Sequence, residues 1–222
     1  MTSASREGGR HVSPRRDTAG RVGLPRRRWT PGRTGFRLRF PAGGIVLGSD
    51  SAGHPAAFPL LVPTQSTRVG VVGPSALAQL LALRLAEQAC HLTVVTSRHE
   101  EWQRFAASKP ESPIAITHQL RRWPPDEVVP PWALLIDMPE PPPTGFTRDP
   151  WSTVIHLVPR VPAGSGWWQS AQLIVTGRAD ARAVSAIRPR LDSSIIERMG
   201  ADDLVAIDST SVTVFRPAER AR

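Results

Sequence analysis

The segment that most constrains the fold runs from Thr67 to Thr96. Thr67 to Val72 is an apolar, β-branched run that Gly73-Pro74-Ser75 interrupts. Leu77, Leu80, Leu81 and Leu85 then recur at the spacing of one helix face, with Arg84, Glu87 and Gln88 on another. His91 to Thr96 is a second strand. A strand-helix-strand unit of this size usually gives a parallel pair with a right-handed crossover. The spacing therefore predicts that Thr67–Val72 and His91–Thr96 lie side by side in a central parallel sheet, a Rossmann-like start.

The rest of the chain extends that pattern. Ile45–Leu47 and Ala56–Val62 read as an N-terminal β-hairpin around the turn cluster Gly48 to Gly53, where Asp50 is placed to cap the turn by accepting backbone N–H bonds. Ile114–Thr117, Trp132–Met138, Trp151–Val158 and Ala171–Thr176 read as strands, and Asp203–Ile207 with Ser211–Phe215 as a closing C-terminal hairpin. Ser97 with Glu100, and Ser194 with Glu197, fit the Ser-x-x-Glu capping box at helix starts, and Arg182–Ile187 reads as a further helix. Strands alternating with helices make this an α/β chain with a layered, mostly parallel sheet. Residues 43–217 are expected to form one α/β domain, after a leader over 1–42 and before a short tail over 218–222.

Charge divides the chain at the same place. The net charge of +9 lies wholly in residues 1–40, which hold 11 Arg against Glu7 and Asp17, and the remainder is balanced. With sparse apolar residues and Gly, Pro and Ser punctuation, the leader reads as disordered. Its clusters Arg15-Arg16 and Arg26-Arg27-Arg28 offer a tether to an anionic membrane surface, worth roughly 1 kcal/mol per residue near such a surface, or else form a solvated tail. No specific nucleic-acid partner is indicated, because no aromatic stacking pattern accompanies the arginines. No apolar run approaches the ~20 residues of a membrane helix, so the expected location is cytoplasmic, peripheral on the inner membrane face. The one cysteine, Cys90, excludes an intrachain disulfide.

Catalytic motifs are incomplete. The turn Gly73-Pro74-Ser75-Ala76-Leu77-Ala78 sits where a P-loop would, yet lacks the second Gly, the Lys and the following hydroxyl. Trp132–Asp137 resembles the apolar strand whose terminal Asp holds magnesium in NTPases, but without the Lys the reading is of a chain that is not an enzyme. Against Gly-x-Gly-x-x-Gly/Ala the same turn matches the first Gly and the last Ala. The alternative is thus an NADP-binding protein using Gly73, Ser75, Ser97 and Arg98, the last two following the second strand where a 2′-phosphate would be met. No metal site is supported, since the six histidines show no zinc spacing. Neither a catalytic residue nor a cofactor is assigned. Trp167-Trp168 beside Gly164 and Gly166 reads either as an exposed aromatic anchor for a partner or as a pair with one ring buried under the next strand.

Taken together, Gly48-Ser49-Asp50…Gly53-His54-Pro55, Thr67-Arg68-Val69-Gly70-Val71-Val72-Gly73, the Leu/Ala/Arg helix, Leu92-Thr93-Val94-Val95-Thr96-Ser97-Arg98 and Trp102 resemble the soluble domain of the E component (EccE-like) of actinobacterial type VII (ESX) secretion systems. The likeness spans about residues 45–217. It implies a structural, non-catalytic assembly subunit on the cytoplasmic side of a secretion complex, with other subunits of that complex as partners. The family carries N-terminal membrane helices before this domain, and here the Arg-rich leader takes their place. The abundance of Arg over a single Lys, Lys109, agrees with the GC-rich coding of an actinobacterial setting.

Overall fold

The computed structural model describes residues 44–109, 114–120, 123–124, 131–143, 149–162 and 164–218. The leader with its arginine clusters and the last four residues lie outside the described residues. Ten strands join in one sheet of order β2-β1-β10-β9-β8-β3-β7-β6-β4-β5. In chain order these are β1 (Ile45–Ser49), β2 (Pro55–Phe58), β3 (Thr67–Val72), β4 (His91–Thr96), β5 (Ile114–Thr117), β6 (Trp132–Asp137), β7 (Ser152–Val158), β8 (Leu173–Gly177), β9 (Leu204–Asp208) and β10 (Val212–Pro217). The helices are α1 (Ser75–Ala86), α2 (His99–Ala107), α3 (Gly166–Gln169), α4 (Arg178–Ser185) and α5 (Ser193–Arg198). The six strands from β8 to β5 run parallel, and the N- and C-terminal hairpins extend the sheet antiparallel. The α/β class and the two hairpins stand as the sequence predicts.

Alternate side chains of each strand feed two cores. Val69, Val71, Ala133, Leu135, Ile155 and Leu157 pack under α1 and α2 with Leu81, Leu85 and Trp102. Their neighbours Leu134, Ile136, Val154 and Ile174 pack under α3–α5 with Trp168, Ala181, Val184 and Ile196. The period of two thus sorts one apolar strand between two helical layers.

The predicted neighbours β3 and β4 do run parallel, but they are not paired: β7 and β6 lie between them. At about 4.8 Å per strand the two are about 14 Å apart. The physical reason is burial on both faces. Every residue of β7 is buried and β6 is buried from Ala133 onward, whereas β4 exposes His91 and half-buries Thr93. The strands with no polar face take the centre, and β4 is pushed towards the edge strand β5.

Both predicted capping boxes are also corrected. At α2 the N-cap is Arg98, without a side-chain cap, and its N–H donates to Oγ1 of Thr96 at 2.8 Å. The Thr96 hydroxyl thus holds the turn just before the helix, and Ser97 lies one residue too early to cap it. At α5 the cap is Asp192, whose Oδ1 accepts Ile195 N–H at 3.0 Å and the Ser194 hydroxyl at 2.6 Å. A carboxylate is the stronger acceptor for orphan N–H groups. Helix α4 begins at Arg178, directly after Gly177 ends β8, four residues before the predicted start.

Candidate functional site at the carboxyl edge of the sheet

The parallel strands end on one edge. Val72 is level with Val158 and Thr176, and Thr96 is level with Asp137. The chain leaves β3 through Gly73, whose φ of +136° is a conformation that side chains disfavour. Gly73 N–H donates to Val158 O at 3.0 Å, which turns the chain into α1. A Cβ built on Gly73 would meet Asp180 Oδ2 at 3.6 Å, so α4 brings a carboxylate to this turn.

At the end of β6, Asp137 is 8% exposed and gathers donors from three places. Its Oδ1 accepts from Arg98 Nη2 at 2.6 Å, and its Oδ2 accepts from Arg98 Nε at 3.0 Å, Thr96 Oγ1 at 2.8 Å and Trp102 Nε1 at 2.8 Å. This is the two-point guanidinium–carboxylate pairing that holds Arg most firmly. The bond to Asp137, opposed by partial burial, raises Arg98 above its ordinary pKa. Arg98 Nη1 also lies 3.5 Å from Glu101 Oε2. Glu101 reaches back from α2 to α1, where its Oε1 accepts from the Ser75 hydroxyl and from Gln79 Nε2 at 3.4 Å. A continuous polar chain therefore links the first residue of α1 to the end of β6.

Of the residues singled out in the sequence, Ser75, Arg98 and Asp137 belong to this network, and Gly73 stands beside it. Ser97 is exposed at the strand-to-helix step. A dinucleotide running from the Gly73 turn to the residues after β4 would have to cross the ends of β7 and β6. Thr96 and Trp102, named only within the family likeness, join the network as well, and Glu101 and Gln79 are the members that sequence reasoning missed. The one signal for Glu101 was its i,i+3 spacing to Arg98 on a helix start.

Asp137 ends β6, as the sequence reading of an apolar strand closed by an acid expects, and that reading likens it to the magnesium-holding Asp of NTPases. The donors here do not fit that ion, because it would have to displace an arginine that already neutralises the carboxylate. Among the described residues no group of three or more His, Cys, Asp or Glu could hold a metal ion.

Of the two readings of the tryptophan pair, the exposed anchor is the one that fails. Trp167 is 6% exposed and Trp168 is fully buried, so neither is an exposed anchor. Trp168 lies over Gly70 and donates Nε1–H to Nδ1 of His156 at 3.0 Å. Asp50 does tie its turn, accepting Ala52 N–H at 2.9 Å and His54 N–H at 2.8 Å, and these bonds hold its carboxyl below the usual range. Among the described residues no helix is long and apolar enough to cross a membrane.

No family model matches the chain, and no curated protein matches it. Among solved structures, the genome packaging NTPase B204 from Sulfolobus turreted icosahedral virus 2, in complex with AMPPCP, has a TM-score of 0.50 and 12% identity over 70% of this chain and 99% of that chain. The same NTPase in complex with AMP has a TM-score of 0.48 and 10% identity over 70% and 98% of the two chains. The cytoplasmic domain of the type VII secretion ATPase EccC from Thermomonospora curvata has a TM-score of 0.47 and 11% identity, over 78% of this chain and 28% of that chain. What is shared with B204 is the fold, an α/β sheet of a kind that NTPases use. The expectation of a chain that is not an enzyme does not stand against this finding. It rested on motif members at fixed spacing, and a chain this divergent can share the fold without sharing the spacing.

Proposed function

We propose that this chain is a subunit of a type VII secretion assembly, related to its E component and built on an NTPase-type sheet. The observation that carries the reading is that the residues of the family likeness occupy constrained positions. Gly48 stands where a Cβ would lie 1.9 Å from Arg216 O, at the pairing of β1 with β10. Asp50 closes the hairpin turn, Gly73 takes a left-handed turn, and Thr96, Arg98 and Trp102 converge on Asp137. The test is deletion of the gene in its host, followed by export of the small proteins secreted by the system, with re-expression as the control. Loss of export restored by the gene supports the reading, and unchanged export overturns it.

A second reading concerns the ligand of the sheet edge. Ser75, Gln79 and Arg98 converge as donors at the start of α1, and a nucleoside phosphate is the anion that such donors would take. Calorimetric titration of the full chain with ATP, inorganic phosphate and NADP tests it. Micromolar ATP binding supports the reading, and no heat with any of the three, in wild type and in Glu101→Ala alike, removes it.

A further inference from the structure

The donors at the start of α1 are already engaged by an anion, and that anion belongs to the chain itself. Glu101 is held by Ser75, by Gln79 at 3.4 Å and by Arg98 at 3.5 Å, so side chains of both α1 and α2 meet on one carboxylate. Arg98 cannot swing away to follow an incoming ligand, because Asp137 grips it at 2.6 and 3.0 Å. Helix α2 is itself anchored, through the Trp102 indole on Asp137. An incoming phosphate would meet a carboxylate of its own sign, with Asp180 close to Gly73 on the other flank.

We propose that Glu101 is an autoinhibitory latch: its carboxylate stands in for the phosphate, and an anionic ligand reaches Ser75, Gln79 and Arg98 only when Glu101 leaves. The proposal rests on the phosphate reading of this edge given above. It assigns separate tasks to the two acids. Asp137 keeps Arg98 in place as the cation of the site, and Glu101 covers it. Loss of the Glu101 charge leaves the donors in position with a neutral occupant, which an anion displaces at lower cost.

The test titrates ATP and inorganic phosphate into the full wild-type chain and into Glu101→Gln and Glu101→Ala, with the melting temperature of each recorded. Affinity at least tenfold tighter in both variants than in wild type is the expected result. Binding by ATP alone would assign the ligand to the nucleotide, and binding by both to the phosphate group. Equal affinity in wild type and variants overturns the latch and leaves the phosphate reading standing. Absence of binding in every chain overturns both. Amide hydrogen exchange across α2 gives a measure independent of ligand: faster exchange in Glu101→Gln is expected, and unchanged exchange counts against a latch.

Discussion

The indole N–H of Trp168 points at Nδ1 of His156 from 3.0 Å, and this pairing sets the charge of a fully buried imidazole. The indole nitrogen only donates, so Nδ1 must accept, and Nε2 carries the proton towards Met138 O at 3.0 Å. Protonation would put two N–H groups face to face. Burial pushes His156 below its ordinary value of 6.5. The unfolded chain therefore binds the proton at a pH where the native chain does not, and stability rises with pH across that window. The stabilisation is complete above about pH 6.5 and is lost as the pH falls towards the lowered native value. Urea unfolding at pH 7.5 and 5.0 should show a drop in midpoint for wild type that is smaller in His156→Gln. An equal drop in both would place the acid sensitivity elsewhere.

Gly70 is the floor on which Trp168 lies. A Cβ at residue 70 would stand 2.4 Å from Trp168 Cζ3 and 2.8 Å from Cε3, inside a sheet paired on both sides. Neither the strand nor a ring bonded to His156 has room to yield. Gly70→Ala should cost about 1–3 kcal/mol, the range for overpacked cores. Pairing it with Trp168→Leu should recover part of that loss relative to Trp168→Leu alone. Simple additivity of the two substitutions would show that the strain lies elsewhere.

Local pattern made β3, α1 and β4 legible, because β-branched runs and a Leu repeat are encoded within a few residues. It could not give their neighbours. Strand order depends on which strands bury both faces, and that comparison runs over the whole chain: β7 outranks β4 only when Ser152–Val158 is seen to be buried throughout. The same limit applies to the site. Asp137 was visible as an acid ending an apolar strand, and Arg98 as a cation after β4, but their pairing spans 39 residues and needs β6 beside β4. The two readings of the Trp167-Trp168 pair stayed open in the sequence because aromatic doublets next to glycine carry no sign of which way the rings point. The small residue that receives Trp168 lies about a hundred positions earlier, at Gly70.

Cys90 is fully buried where the chain enters β4, and burial pushes its thiol up to about 12. The thiolate is the reactive form, so at pH 8 only about one molecule in ten thousand carries it. Labelling with a chromogenic disulfide reagent should be negligible in the native chain and complete within minutes in 6 M urea. Native labelling at the rate of a free thiol would show that β4 opens readily.

The two carboxylates bound to Arg98 depend on it to different degrees. Asp137 is buried and depends on Arg98 for two of its four bonds, whereas Glu101 is one-third exposed and keeps Ser75 and Gln79. Arg98→Ala should thus harm Asp137 much more than Glu101. With the Arg98 side chain 43% exposed, water screens part of the loss, and about 1–3 kcal/mol is expected in place of the larger cost of a fully buried pair. Asp137→Asn should cost less alone, since the amide keeps an acceptor for Thr96 or Trp102 and removes the buried charge. In Arg98→Ala, Asp137→Asn the orphaned charge is gone, so the double variant should be more stable than Arg98→Ala by itself. Urea midpoints for the four chains settle the matter. If the double variant is the least stable of the four, Arg98 contributes through packing over α2 and the pairing with Asp137 is not what holds this edge.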